Sequence, residues 1–174
     1  MEIRIYPNTI LRKKCLAVKE VGRQEQKIFE EMVKLMRQAG GMGLAACQVG
    51  LDKQMLVVDL GNKALKLANP KICKREASQS MEEGCLSLPE ITVEVKRAEK
   101  IKLEAVNELN QLVSFNAEGI LAIALQHEID HLQGKLIIDY LPWYKKLKAI
   151  RKLKSKRQTK TAPLWGPIKC KAFL

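Results

Sequence analysis

Histidine is scarce in this chain, and acid is missing from its last fifth. Only His127 and His131 occur, which excludes a metal site with three histidine ligands, including the elongated zinc-protease pattern with its third, downstream histidine. No apolar run approaches the ~20 residues of a membrane-spanning helix. The opening Met1-Glu2-Ile3-Arg4-Ile5-Tyr6-Pro7 has no basic segment followed by an apolar one, so no signal peptide is expected. The 5 cysteines (Cys15, Cys47, Cys73, Cys85, Cys170) are an odd number at scattered spacings, which excludes a dense disulfide scaffold and points to a reducing cytoplasm. There is no internal repeat and no low-complexity tract.

What is present reads as globular: 47% hydrophobic and 29% charged residues over 174 positions, enough for one well-buried core and too few for two ordinary domains. The net charge of +12 is unevenly placed. Residues Met1 to Asp139 carry 20 Lys/Arg against all 19 Asp/Glu, whereas Tyr140 onward carries 11 Lys/Arg and no acid. A near-neutral body with a basic tail points to a polyanionic partner of the tail.

Both histidines fall in Gln126-His127-Glu128-Ile129-Asp130-His131, an H-E-x-x-H pattern. Four residues of helix advance about 400°, so the two imidazoles emerge on one face, one turn apart. So placed they can chelate one divalent metal, with Glu128 beside them to handle a proton of bound water.

Gln24 to Ala39 reads as an amphipathic helix, with Ile28, Met32, Leu35, Met36 and Ala39 on one side, ending at Gly40-Gly41. From Leu44 to Ala105 the pattern turns to short strands. Met55-Leu56-Val57-Val58 is a continuous apolar run, and Ile101, Leu103 and Ala105 alternate with Lys102 and Glu104. Asn107-Glu108-Leu109-Asn110 is expected to be a hairpin turn leading into Leu112-Val113-Ser114-Phe115. Asn116 is expected to cap a helix over Ala117 to Leu132, with Glu118 in its first turn, and that helix is apolar enough to be buried. Pro142 is expected to start a last helix, with Trp143, Leu147, Ile150 and Leu153 as its apolar stripe.

A catalytic metal needs a third protein ligand and an open position for water. Cys85, Glu83, Glu118, Asp130 and Asp139 are the candidates. Asp130 lies about 100° from His131 and 300° from His127, so it is expected to support the site from outside the ligand sphere. Cys85 follows Gly84 at a strand edge, where a thiolate would close a Cys-His-His site. In Gly40-Gly41-Met42-Gly43-Leu44-Ala45-Ala46-Cys47-Gln48, a dinucleotide-binding reading fails because the glycines follow a helix and lead into strands. The functional alternative is a backbone that substrate can approach closely, with Gln48 directing its amide at a reacting oxygen.

Three segments together, Gly41 to Gln48, Glu83-Gly84-Cys85-Leu86-Ser87 and Gln126 to His131, resemble the signature motifs of peptide deformylases, in the same order and at comparable spacing. The likeness runs from about Ile5 through Tyr140. It implies metal ligands Cys85, His127 and His131, Glu128 as general base and acid, and Gln48 with the Leu86 backbone N–H as oxyanion donors. It implies one divalent metal ion, Fe2+ in the cell, with Ni2+, Co2+ or Zn2+ as replacements. The implied activity is hydrolytic removal of the formyl group from N-formylmethionine of new polypeptides. Two departures stand out: Cys47 where threonine is common, and Thr92 where some members place an arginine facing substrate.

On the helix, Ile120, Ile123 and Ala124 precede His127 on its own side, and with Met42 and Gly43 they would form a slot for an unbranched methionine side chain. The expected fold is α+β, antiparallel β-sheets packed around a central metal-binding helix with a C-terminal basic helix. Residues 1–141 are read as the catalytic domain and 142–174 as a basic helix and tail. A metallopeptidase, and a metal-stabilised binding protein working through its tail, are the alternatives. The tail carries Lys145, Lys146, Lys148, Arg151, Lys152 and Lys154, followed by Lys156, Arg157 and Lys160. Basic residues spread around the helix favour a grooved polyanion over a flat membrane. Tails of some deformylases resemble it, which implies docking on the ribosome, at ribosomal RNA near the exit.

Overall fold

Two antiparallel sheets and three α-helices make up the fold, seen in a computed structural model that describes residues 1–61 and 63–156. The tail residues Arg157, Lys160 and Cys170 lie outside the described residues. The strands are β1 (Gly43–Ala45), β2 (Met55–Val58), β3 (Leu65–Glu76), β4 (Gln79–Cys85), β5 (Leu88–Arg97), β6 (Lys100–Asn107) and β7 (Leu112–Glu118). The helices are α1 (Arg23–Gln38), α2 (Gly119–Leu132) and α3 (Trp143–Lys156). Five strands form one sheet in the order β1-β2-β3-β6-β7, and β4 pairs only with β5. The expected α+β architecture with a central helix is what forms.

The run Met55 to Val58 is apolar throughout because both faces of β2 are covered. Leu56 and Val58 join the cluster containing Ala122, Leu125 and Leu132 of α2, while Met55 and Val57 join the cluster containing Phe29, Met32 and Met36 of α1. One helix therefore lies on each face of the main sheet. On α1 the buried stripe is Phe29, Met32, Val33 and Met36, rotated slightly from the expected one. Glu25 reaches back to the Gly22 N–H at 3.2 Å and fixes its start.

The hairpin of β6 and β7 forms as expected, with the Asn107 side-chain oxygen accepting from the N–H groups of Leu109 and Gln111, both at 2.9 Å. The start of α2 differs from expectation. Asn116 stays in β7, paired with Lys102, and Glu118 is the last strand residue. The ladder to β6 outcompetes a helix cap there, and the chain turns at Gly119 (φ +57°), whose N–H donates to the Glu99 carbonyl at 2.9 Å.

A third cluster joins Val93 and Val95 of β5 to Leu136, Ile137 and Ile138, and to Ala149 and Leu153 of α3. Here too the structure corrects the sequence reading. Trp143 and Leu147 are not part of the docked stripe; they are 75% and 46% exposed, and Ala149, Ile150 and Leu153 face the body instead.

Gly134 ends α2 with φ +73°, and a Cβ there would sit 2.6 Å from the Arg12 carbonyl oxygen. Backbone strain and a backbone clash act together. Gly134→Ala is expected to lower stability by more than about 1 kcal/mol in denaturant titration; an unchanged midpoint would remove this constraint.

Candidate metal centre

Helix α2 brings His127 and His131 to one side, their ring centroids 4.9 Å apart. The end of β4 brings Cys85. Its Sγ lies 3.2 Å from His131 Nε2, and Cys85 Sγ and one nitrogen of each histidine fall within 4.8 Å of one another. Of the five candidates for a third ligand, Cys85 is the one that joins both histidines in a cluster able to hold a metal ion among the described residues. Glu118 pairs with Lys100 at the surface, and Asp139 pairs with Arg12 and Lys146. Glu83, weighed as a ligand, has a different place: its Oε2 is 2.8 Å from His127 Nδ1, which leaves Nε2 of that ring for a metal.

Glu83 is itself held by Arg97, whose Nε and Nη2 donate to its two oxygens, the second at 2.9 Å. Arg97 Nη1 also donates to Asp130 at 2.9 Å, and the Tyr140 hydroxyl donates to the same Asp130 oxygen at 2.7 Å. Asp130 thus sits outside the ligand set, as its helical phase requires. Arg97 and Tyr140 were missed by the sequence reading. One signal was available: Arg97 falls in phase with Val93 and Val95, the inward residues of β5, where an arginine has to find a buried acid.

Burial opposes charge on Glu83, yet His127 and Arg97 outweigh it and hold the carboxyl below its ordinary range. On His127 burial is likewise outweighed, by Cys85 and Glu83, and its pKa lies well above the usual value. Burial and the neighbouring His127 and Arg97 charges push His131 well below. Cation binding would therefore displace a proton from His127. Glu128 is pushed up to about 7 by burial, against the pull of His127 and Arg97. Its Oε2 is buried with no hydrogen-bond partner among the described residues. An unpartnered carboxylate oxygen beside a cysteine and two imidazoles fits a proton carrier better than a structural ion.

The glycine-rich segment packs directly on this acid. A Cβ on Gly43 would collide with the Glu128 carboxylate, so β1 passes the site as bare backbone. Gln48, 1% exposed, is turned by the Ala45 N–H, which donates to its Oε1 at 2.8 Å. Its Nε2 then points at Ser87 Oγ (3.2 Å) and Cys85 Sγ (3.7 Å). The amide donor is thus aimed toward Cys85, and Leu86 is buried in the cluster with Ala46 and Val49. Cys47 is fully buried, its Sγ 3.4 Å from the His131 carbonyl oxygen. Of the expected pocket residues, Met42 and Ile120 are exposed, Ile123 is buried and Ala124 packs on the main core. Thr92 is exposed on β5, across from Gly84.

Replacing Glu83 by Gln leaves buried Arg97 with Asp130 as its remaining counter-charge, which should cost up to about 3 kcal/mol near neutral pH in the metal-free chain. Because the folded pKa is depressed, this stabilisation is present above the unfolded value and is lost as pH falls through the folded one. Denaturation of parent and variant at several pH values should show a gap that closes below pH of about 4. A gap independent of pH would assign the cost to packing.

Comparison with known proteins agrees with this geometry. The polypeptide deformylase family model matches residues 1–147. The peptide deformylase of Buchnera aphidicola subsp. Acyrthosiphon pisum (strain Tuc7) is 44% identical over 149 residues, 84% of this chain and 86% of that one. That of Syntrophomonas wolfei is 47% identical over 133 residues, 76% and 88% of the two chains. The crystal structure of a peptide deformylase from Legionella pneumophila superposes with a TM-score of 0.86 at 35% identity, over 90% of this chain and 95% of that one. The chain belongs to the polypeptide deformylase family, metal-dependent hydrolases that remove the N-terminal formyl group from nascent peptides.

Proposed function

We propose that residues 1–141 form the catalytic domain, in which Cys85, His127 and His131 hold one divalent metal ion, Glu128 carries the proton, and Gln48 with the Leu86 backbone N–H receives the developing oxyanion. The observation that carries this reading is the convergence of one cysteine sulfur and two imidazoles, all within 4.8 Å, beside a buried carboxylate. When bound, the metal acts as a Lewis acid that makes water nucleophilic near neutral pH. The mixed thiolate and imidazole donor set suits Fe2+ in the cell, with Zn2+, Ni2+ and Co2+ as replacements.

Glu128 accepts a proton from water as it attacks the formyl carbon, then delivers that proton to the departing amine. A pKa near the working pH serves both halves of this transfer. Gln48 Nε2, already turned by Ala45, donates to the tetrahedral oxygen more strongly than to the planar formyl group. Glu83 keeps His127 in one tautomer throughout. Met42, Gly43, Ile120, Ile123 and Ala124 form the methionine slot, and the exposure of Met42 and Ile120 leaves its mouth accessible. The peptide backbone lies along the outer edges of β1 and β4, each a terminal strand of its sheet.

We assign the enzyme to the cytoplasm: Cys15, Cys47, Cys73 and Cys85 are free thiols, which fits a reducing compartment. No helix among the described residues is long and apolar enough to cross a membrane. Residues 142–174 are read as a basic helix and tail docking on ribosomal RNA near the exit. Not every lysine of α3 is available for that. Lys146 pairs with Asp139 at 2.7 Å, and Lys152 donates to the Glu90 carbonyl at 3.0 Å. Lys145, Lys148, Arg151 and Lys154 are exposed.

Two measurements test this reading. With metal-analysed protein and a formyl-Met peptide, Glu128→Gln is expected to keep its metal and lose formate release by at least about a hundredfold, while Cys85→Ser loses metal on dialysis and Cys73→Ser does not. Near-normal turnover of metal-loaded Glu128→Gln would sink the proton assignment. Separately, replacing Lys148, Arg151 and Lys154 with Gln should leave deformylation intact and weaken ribosome co-sedimentation, the salt slope falling by about 1 per lost phosphate contact. Equal co-sedimentation at low salt would refute the docking role.

A further inference from the structure

The outer face of α3 joins two chemistries that the docking reading does not use together. At about 100° per residue, Trp143, Leu147, Tyr144, Arg151, Lys148 and Lys154 fall within one sector of about 140°. All six are exposed, Trp143 at 75% and Tyr144 at 57%. The two rings stand edge to face, 6.0 Å apart and 86° inclined, so each keeps a face open. Aromatic surface thus occupies the first turn, and cations continue along the same face, the six residues spanning about 16 Å in all.

We propose that this face binds single-stranded RNA, with unpaired bases stacking on Trp143 and Tyr144 while Lys148, Arg151 and Lys154 hold the phosphates. The inference rests on the ribosomal RNA reading above and adds what is recognised: exposed bases and not backbone alone. Charge complementarity identifies the partner, since from Tyr140 on the chain has 11 Lys/Arg and no acid. A bilayer is a poorer match. A helix lying on a membrane needs an apolar face along its length, and the one on α3 is spent inward, with Ala149 and Leu153 buried against the body. Flat rings flanked by cations are the pattern that stacks bases without regard to sequence.

The test uses the full chain carrying Trp165→Phe, which leaves Trp143 as the sole tryptophan of the 2. A short single-stranded RNA at low salt should quench Trp143 emission, and the same strand in a duplex should not. Trp143→Leu should weaken binding of labelled single strand about tenfold, with duplex binding and deformylation of a formyl-Met peptide unchanged. The Lys148, Arg151 and Lys154 to Gln variant should weaken both RNA forms, so failure of the docking reading is separable from failure of stacking. Three results would each overturn the proposal. They are equal single-strand affinity of parent and Trp143→Leu; a Trp143 emission shift with anionic phospholipid vesicles but not with RNA; and shielding of Trp143 from acrylamide until the residues after Lys156 are removed, which would make the chain's own end the occupant.

Discussion

The Glu83 carboxylate, 6% exposed, sits between His127 and Arg97, and much of the functional geometry depends on that placement. A carboxylate taken out of water is costly unless its lone pairs are filled by charged donors. Here the donors come from different elements: His127 from α2 and Arg97 from β5, which also reaches Asp130 of α2. The need to satisfy one buried acid therefore pins the two-stranded sheet to the central helix. It also fixes which nitrogen of His127 faces the site, so one ionic network serves both assembly and ligand orientation.

On the other side of the helix the constraint is steric. Glu128 and the backbone of β1 occupy adjoining space, and only a glycine at position 43 permits it. Polar side chains lock the surrounding segments. Gln126 donates from Nε2 to the Ala98 and Ala122 carbonyls at 2.8 and 2.9 Å, and its oxygen accepts from the Ala98 N–H at 3.1 Å. The N-terminal segment closes the back: Arg4 N–H donates to the Gln48 carbonyl at 2.6 Å and Tyr6 N–H to the Ser87 carbonyl at 3.0 Å. The segments carrying Gln48 and Cys85 are thus tied to one stretch of chain. On the function proposed above such support matters, because oxyanion stabilisation is lost when donors can relax.

The basic helix follows a different logic. Its docking uses a narrow stripe of Ala149, Ile150 and Leu153 on the third core cluster, with Lys146 tethered to Asp139. The remaining circumference is left to solvent and cations. Charge segregation leaves residues 1–139 nearly neutral, so the field of the excess Lys/Arg is concentrated at the C-terminal end.

The sequence by itself determined the features that depend on local spacing. The i, i+4 histidines share a face, Ile101, Leu103 and Ala105 alternate with charged residues on a strand, the continuous apolar run of β2 marks a strand, and the missing third histidine restricts the possible ligands. These follow from helix and strand periods, which need no distant partner. Tertiary structure decided the rest, where the outcome turns on desolvation and long-range contact. Of the five candidates it brought Cys85 within reach of both histidines, and it set Glu83 against His127 Nδ1. It also gave Arg97 a buried partner 14 positions away. It let strand pairing override a helix cap at Asn116, and it selected Ala149 and Leu153 over Trp143 and Leu147 as the docked face of α3. An amphipathic pattern shows that a helix has an apolar side; which apolar residues are buried depends on the surface that arrives to cover them.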